Sequence, residues 1–230
     1  MPPKRRDIVQ LRSSVSTFSE IQGQLPPGAK LLAVSKLQSA QQIENLWEQG
    51  QRDFAENYVQ EALDKQLRWN EKRHPIHWHF IGHLQTNKVK QVIHKFSLIH
   101  SVDSLKLARA LAKAANPKTP QPVLIQLNLA DESSKGGFAK KEFIEHWPEL
   151  IALPGLHLCG LMTMPPLFED PEDARPFFRD LRKIRDEIRG HHPAFCELSM
   201  GTSSDFRIAL EEGATWVRLG TILFGARQRP

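Results

Sequence analysis

The sequence predicts one α/β domain over residues 1–230: a single (β/α)8 TIM barrel with an extra N-terminal helix. Three observations carry this. Short apolar runs rich in β-branched or aromatic residues alternate eight times with longer segments whose apolar residues recur three and four apart. Such serial alternation implies parallel neighbours, because a parallel pair of strands needs a crossover between them. The length of 230 residues suits a closed barrel as one domain. No glycine-rich dinucleotide turn follows the first run, which favours the barrel over an open doubly wound sheet.

The elements follow in order. Ile8, Val9, Leu11, Val15, Phe18 and Ile21 mark a helix from Ile8 to about Gln22. "LLAVS" at 31–35 is the first strand. Ser39 caps a helix running to Gln49, and Gly50 stops it. "DFAEN" at 53–57 is the second strand, with a helix through about Arg73. "IHWHFIG" at 76–82 alternates as the third, and a helix is expected from about Leu84 to Lys95. "SLIHSV" at 97–102 is the fourth, with Asp103 capping "SLKLARALAKAA". "PVLIQLNL" at 122–129 is the fifth, followed by a helix from about Lys140 to Ile151. "LHLCGLMTM" at 156–164 is the sixth, followed by a charged helix around Pro171 to Arg189. "FCELSM" at 195–200 is the seventh, with a helix from about Ser204 to Glu212. "TWVRLG" at 215–220 is the eighth.

Composition narrows the function. A chain 40% hydrophobic and 25% charged is an ordinary soluble globular sequence. The net charge of +5 is modest, and much of it sits in "PKRR" at 3–6 and "ARQRP" at 226–230, which read as solvated tails. No broad basic and aromatic patch argues for nucleic acid. Cys159 and Cys196 show no CxxC spacing, so neither a disulfide framework nor a cysteine zinc site is expected. Neither a signal peptide nor a membrane span is visible, and the expected location is the cytoplasm.

In such barrels the chemistry sits at the carboxyl ends of the strands. Lys36 ends the first strand and Asn57 the second. His79, Gly82 and His83 end the third, Ser101 and Asp103 the fourth, and Asn128 the fifth. Met162 and Thr163 end the sixth, Ser199 the seventh, and Arg218, Gly220 and Thr221 the eighth. Capping is the expected role of Ser101 and Asp103, and Asn57 also fits an ordinary cap. Taken alone, Lys36 is a strand-end lysine whose stem covers apolar surface. Two stretches change that reading. "SMGTSSD" at 199–205 and "RLGT" at 218–221 each place glycine among small hydroxyl residues between a strand and a helix. Glycine lets backbone N–H groups approach an anion, and loops after the last two strands are the usual phosphate site of these barrels. A phosphate cradle opposite a strand-end lysine points to pyridoxal 5'-phosphate, whose aldehyde condenses with a lysine amine. Arg218 is placed to face the pyridine nitrogen, where a cation leaves that nitrogen unprotonated and the ring a weaker electron sink.

The residues reached in this way extend over nearly the whole chain: "LLAVSK", "GQRDFAENYVQEALDK", "WHFIGHLQTNK", "HSVDSLKLA", "GLMTM", "LSMGTSSD" and "VRLGTILFGAR". Together they resemble the YggS/PROSC family of pyridoxal-phosphate-binding proteins, also called pyridoxal phosphate homeostasis proteins. The resemblance implies the barrel of alanine racemase and of eukaryotic-type ornithine decarboxylases, the fold type III of pyridoxal phosphate proteins. It also implies a Schiff base on Lys36, phosphate contacts from Ser199, Gly220 and Thr221, Arg218 at the pyridine nitrogen, and Asn57 near the cofactor. The chain departs from the family pattern at Ala55, where glycine is usual, at His83 for proline, at Thr202 for methionine and at Gly136 for serine.

A racemase of this barrel type opposes a lysine with a tyrosine carried in by a second β domain. This chain has one tyrosine, Tyr58, and ends soon after the eighth strand. The expectation is a monomeric cofactor holder that governs free pyridoxal phosphate, with no catalytic residue and with apo-forms of pyridoxal-phosphate-dependent enzymes as partners. The alternative is an amino-acid racemase or another weak pyridoxal-phosphate enzyme. A rival from another class is zinc on His77 and His79, which share a strand face. Two histidines fall short of the three protein ligands of a catalytic zinc site, so no metal is expected.

Overall fold

The structure, a computed structural model, describes residues 18–69, 74–130, 132 and 135–225. Eight parallel strands close into a barrel in sequence order. They are β1 (Lys30–Val34), β2 (Asp53–Glu56), β3 (His77–Phe80), β4 (Leu98–Val102), β5 (Gln121–Leu127), β6 (Leu156–Thr163), β7 (Glu197–Ser199) and β8 (Trp216–Leu219). Closure is made by β1, which pairs with β2 through Ala33 and Phe54 and with β8 through Leu32 and Arg218. Around them lie α1 (Phe18–Gln22), α2 (Ala40–Glu48), α3 (Val59–Arg68), α4 (Val89–Val92), α5 (Leu105–Ala114), α6 (Lys140–Ala152), α7 (Arg175–Arg189), α8 (Phe206–Glu211) and α9 (Thr221–Phe224). The part of the expected first helix that precedes Phe18 lies outside the described residues.

The strand period of two sorts side chains between two cores. Outward residues such as Leu31, Ala33, Phe54, Trp78, Phe80, Val217 and Leu219 pack under the helices in one large cluster. The barrel interior holds a smaller cluster of Leu32, Ala55, Leu98, Leu124, Met162 and Trp216. Polar residues complete that interior: His79, His100, Ser199 and Arg218 are all buried on inward-facing positions.

Several helices differ from their expected bounds, each for a visible reason. The segment after β3 forms only a 3-10 turn at Thr86–Lys88 and the single turn of α4. Its β-branched Thr86, Val89, Val92 and Ile93 are poor helix formers. His94 then takes a left-handed φ of 57°, with its N–H donated to Gln121 Oε1 at 2.8 Å. Asp103 does not cap α5; Ser104 does, accepting from the Leu107 N–H, while Asp103 accepts from His83 Nδ1 at 3.0 Å. The helix after β2 stops at Arg68, short of Arg73. Trp69 turns extended and sets its ring edge-on to Trp78 and His74. After β7 the helix starts at Phe206, because Thr202 to Asp205 form a turn in which the Thr202 N–H and hydroxyl both donate to Asp205 Oδ1.

Candidate cofactor site

A cavity of about 360 Å³ opens at the carboxyl ends of the strands. Of the six residues proposed from sequence, five meet there: Lys36, Asn57, Arg218, Gly220 and Thr221. Val34 and Ile81 form apolar wall, and Met164 and Leu167, from the loop after β6, form the rim.

The chain on either side of Lys36 is fixed from outside the barrel. Ser35 is fully buried; its N–H donates to Ala55 O at 2.9 Å and its hydroxyl to Glu56 Oε1 at 2.6 Å. Lys65, on α3, donates to Ser35 O (2.6 Å), Glu56 Oε1 (2.8 Å) and Glu61 Oε1 (2.7 Å). Glu61 Oε1 also accepts the Leu37 N–H at 2.6 Å, and Leu37 has a left-handed φ of 61°. A leucine in that region is strained by about 1 kcal/mol or more, and the ion cluster holds it there. The peptide groups before and after Lys36 therefore have anchors on α3. Burial is the main influence on Glu56 and raises its carboxyl above the ordinary value, against the opposing pull of Lys65.

Asn57 ends β2 but caps nothing. Tyr58 stands at the start of α3 without a side-chain cap bond. Asn57 Oδ1 is buried with no hydrogen-bond partner, an acceptor left over on a cavity-lining residue. Its backbone is pressed against β3: a Cβ on Gly82 would fall 1.8 Å from the Asn57 carbonyl oxygen, so only glycine fits. The Gly82 carbonyl in turn accepts the Ser101 hydroxyl at 2.6 Å, so Ser101 ties strand ends together rather than capping.

Arg218 lies at the base of the cavity and is 3% exposed. Its Nη1 donates to Ser199 Oγ and its Nη2 to Thr163 O, both at 2.8 Å. Burial lowers the guanidinium to about 10, with Asp205 pulling the other way. Ser199 does not line the cavity. It is fully buried beneath Arg218, with its hydroxyl 2.9 Å from His100 Nδ1. The hydroxyls that do line it are Thr202, Ser203, Ser204 and Thr221. The stretch "SMGTSSD" contains the first three, but strand alternation does not reach past the turn at Gly201, whose φ is 87°. Asn128 closes its own loop through Glu132 and the Lys135 carbonyl, and Met162 packs in the barrel interior.

His77 and His79 do share a face, and both meet Asp53 Oδ1, at 3.1 and 3.2 Å. Among the described residues no group of three or more His, Cys, Asp or Glu side chains is arranged to hold a metal ion. No helix among them is long and apolar enough to cross a membrane.

Residues 9–228 match the family model of the alanine racemase N-terminal domain. A pyridoxal phosphate homeostasis protein of Aquifex aeolicus is 45% identical over 202 residues, spanning 87% of this chain and 88% of that protein. The chain belongs to the pyridoxal phosphate homeostasis protein family. Among solved structures, PipY of Synechococcus elongatus without pyridoxal phosphate superposes on this family member with a TM-score of 0.84. Identity is 37%, over 90% of this chain and 97% of PipY. PipY with pyridoxal phosphate bound gives 0.83 at 36% identity, with the same coverage. The alanine racemase of Clostridium difficile 630 has a TM-score of 0.71 over 91% of this chain and 54% of that one. At 16% identity the likeness is one of fold alone.

Proposed function

We propose that this family member holds pyridoxal 5'-phosphate covalently on Lys36 and keeps it in reserve without converting an amino acid. The observation that carries the reading is the meeting of Lys36, Asn57, Arg218 and Thr221 around one cavity at the carboxyl ends of the strands. The names of the relatives and the cofactor-bound PipY support it. When bound, the cofactor supplies an aldehyde that forms a Schiff base with a lysine amine and a ring whose electron demand depends on its nitrogen. This chain supplies the rest. Lys36 brings the amine on a segment clamped by Lys65 and Glu61. Thr221, Ser203 and the backbone about Gly220 form the anion cradle; the Gly220 N–H already lies 3.4 Å from Ser203 Oγ. Asn57 Oδ1 offers the unmatched acceptor. Arg218 presents a cation, which lends no proton-holding carboxylate to a ring nitrogen.

The non-catalytic half of the reading rests on Tyr58. This tyrosine opens α3, is 53% exposed, and is not among the residues lining the cavity. The base that would oppose lysine in a two-base racemase is therefore not supplied by it. Two experiments test the proposal. Borohydride reduction of the loaded protein, digestion and mass spectrometry should place the adduct on the peptide containing Lys36, and Lys36→Ala should abolish it. An adduct on another lysine with Lys36 unmodified overturns the assignment. Incubation with amino acids in heavy water should leave their α-protons unexchanged; exchange that needs Lys36 would make the protein an enzyme.

A further inference from the structure

A polar thread runs down the inside of the barrel from the cofactor cavity towards the amino ends of the strands. Arg218 Nη1 lies 2.8 Å from Ser199 Oγ, and Ser199 Oγ 2.9 Å from His100 Nδ1. His100 Nε2 lies 3.0 Å from His79 Nδ1, and His79 Nε2 3.2 Å from Asp53 Oδ1. Asp53 is the first residue of β2, at the opposite end of the barrel from Arg218's cavity, and its side chain is 24% exposed. Ser199 and His100 are fully buried and His79 nearly so. Trp216 packs beside both imidazoles, at 4.8 and 6.0 Å between ring centres.

The two ends of this thread fix its direction. A guanidinium only donates, and an ionised carboxylate only accepts. Burial works against the Asp53 charge, but the hydrogen bonds from His79 and His77 hold its carboxyl below the ordinary value. Burial lowers His79 and pushes His100 well down, so each imidazole carries one proton. Asp53 must then receive the His79 Nε2 proton, which leaves His79 Nδ1 as an acceptor. His100 therefore donates from Nε2 and accepts at Nδ1, and the Ser199 hydroxyl gives its single proton to His100. That leaves a Ser199 lone pair for Arg218. Four protons make four bonds with none left over. With the proton of His100 on Nδ1 instead, Ser199 would receive two donors and its own proton would be turned off His100 with no acceptor in the thread.

We propose that Asp53 is a positioning residue for Arg218, acting through a one-directional hydrogen-bond chain, Ser199–His100–His79, that locks both histidines with their protons on Nε2. Its value for the site is that Arg218 keeps Ser199 as an acceptor on one nitrogen and the fixed Thr163 carbonyl on the other. The inference rests on the reading of Arg218 as a cofactor-facing residue, but its first test does not need the cofactor. Long-range proton–nitrogen spectra of the apoprotein with isotope-labelled histidine should show His79 and His100 both as Nε2–H tautomers. An Nδ1–H form at either overturns the chain whatever the protein binds. Asp53→Ala should mix the tautomers at both histidines and raise the Kd for pyridoxal phosphate by roughly 2- to 30-fold, the range expected for a coupled network. Asp53→Asn keeps a carbonyl oxygen for His79 and should restore both. His100→Ala should weaken binding as Asp53→Ala does, and the double variant should be no worse than His100→Ala alone, since a broken chain cannot be broken twice. Additive losses, or mixed tautomers with unchanged Kd, defeat the positioning role. If wild-type protein shows the tautomers but binds no pyridoxal phosphate, the chain stands and the functional reading fails.

Discussion

Replacing Lys65 with methionine keeps the length of the stem and removes one charge from a buried cluster. Glu56 is fully buried, its Oε1 is shared by Lys65 and the Ser35 hydroxyl, and its Oε2 has no partner. Removing one member of a buried ion pair costs about 3–5 kcal/mol. Proton uptake limits the loss, because neutralising a carboxyl of ordinary value 4.5 at pH 7 costs at most about 3.4 kcal/mol. The expected destabilisation is therefore about 3 kcal/mol, or a fall in Tm of roughly 6–12 °C for a chain of this size. The sign of the pH dependence follows from Glu56. Its folded-state value is raised, so its contribution is fully present below the unfolded value and is lost as pH rises through the folded one. Without Lys65 that value rises further, so the gap between variant and wild type should be widest near neutrality and close as pH falls towards 4.5. Adding Glu56→Leu should recover most of the loss, since Ser35 Oγ keeps the Ala55 carbonyl at 3.3 Å. Cofactor affinity should fall in Lys65→Met as well, because Ser35 O, next to Lys36, loses its donor. Scanning calorimetry across this pH range checks the argument. A Tm within about 2 °C of wild type at pH 7, below the shift expected for 1 kcal/mol, would refute it.

Other outcomes follow from the same geometry. Thr221→Val should raise the Kd for pyridoxal phosphate by about tenfold or more, as expected for loss of a hydrogen bond to a charged group, with Tm unchanged; equilibrium dialysis reads this. Gly220→Ala should fold normally, since the new Cβ would meet Val34 Cβ at 3.6 Å and Val34 O at 3.7 Å, both ordinary van der Waals contacts, yet it adds bulk to the cavity wall and should weaken binding in the same assay. Gly82→Ala should be far more damaging, because its Cβ would overlap the Asn57 backbone; a loss above about 3 kcal/mol in urea unfolding is expected.

Much of the barrel was legible because its signal is local. Each buried parallel strand is a short apolar run, each covering helix is amphipathic, and both periods are written in neighbouring residues. Strand ends were legible for the same reason, and with them Lys36, Asn57, Arg218, Gly220 and Thr221. Boundaries failed where a distant contact decided them. Trp69 leaves its helix to meet Trp78, and His94 turns left-handed against Gln121. Asp103 is drawn from the cap position by His83, across strands.

By itself, the sequence determined the fold class and put Lys36 and Arg218 at the ends of strands that pair with each other, where both line one cavity. The tertiary structure alone decided what the polar residues are for. Ser199 ends its strand as expected, but the parity of β7 turns its hydroxyl into the barrel, under Arg218, while Ser203 beyond the turn lines the cavity. His79 stands in the sequence only as a strand-end residue and a rival zinc ligand, and His100 carries no signal there; barrel closure brings β2, β3, β4, β7 and β8 around one axis and links the two. The sequence assigns no role to Lys65 and Glu61, yet they hold the segment that carries Lys36. Periodicity reports which face of a strand or helix a residue occupies. It carries no information on which residue from another strand stands opposite, because that depends on register and closure, and hydrogen-bond direction follows only from the full set of partners.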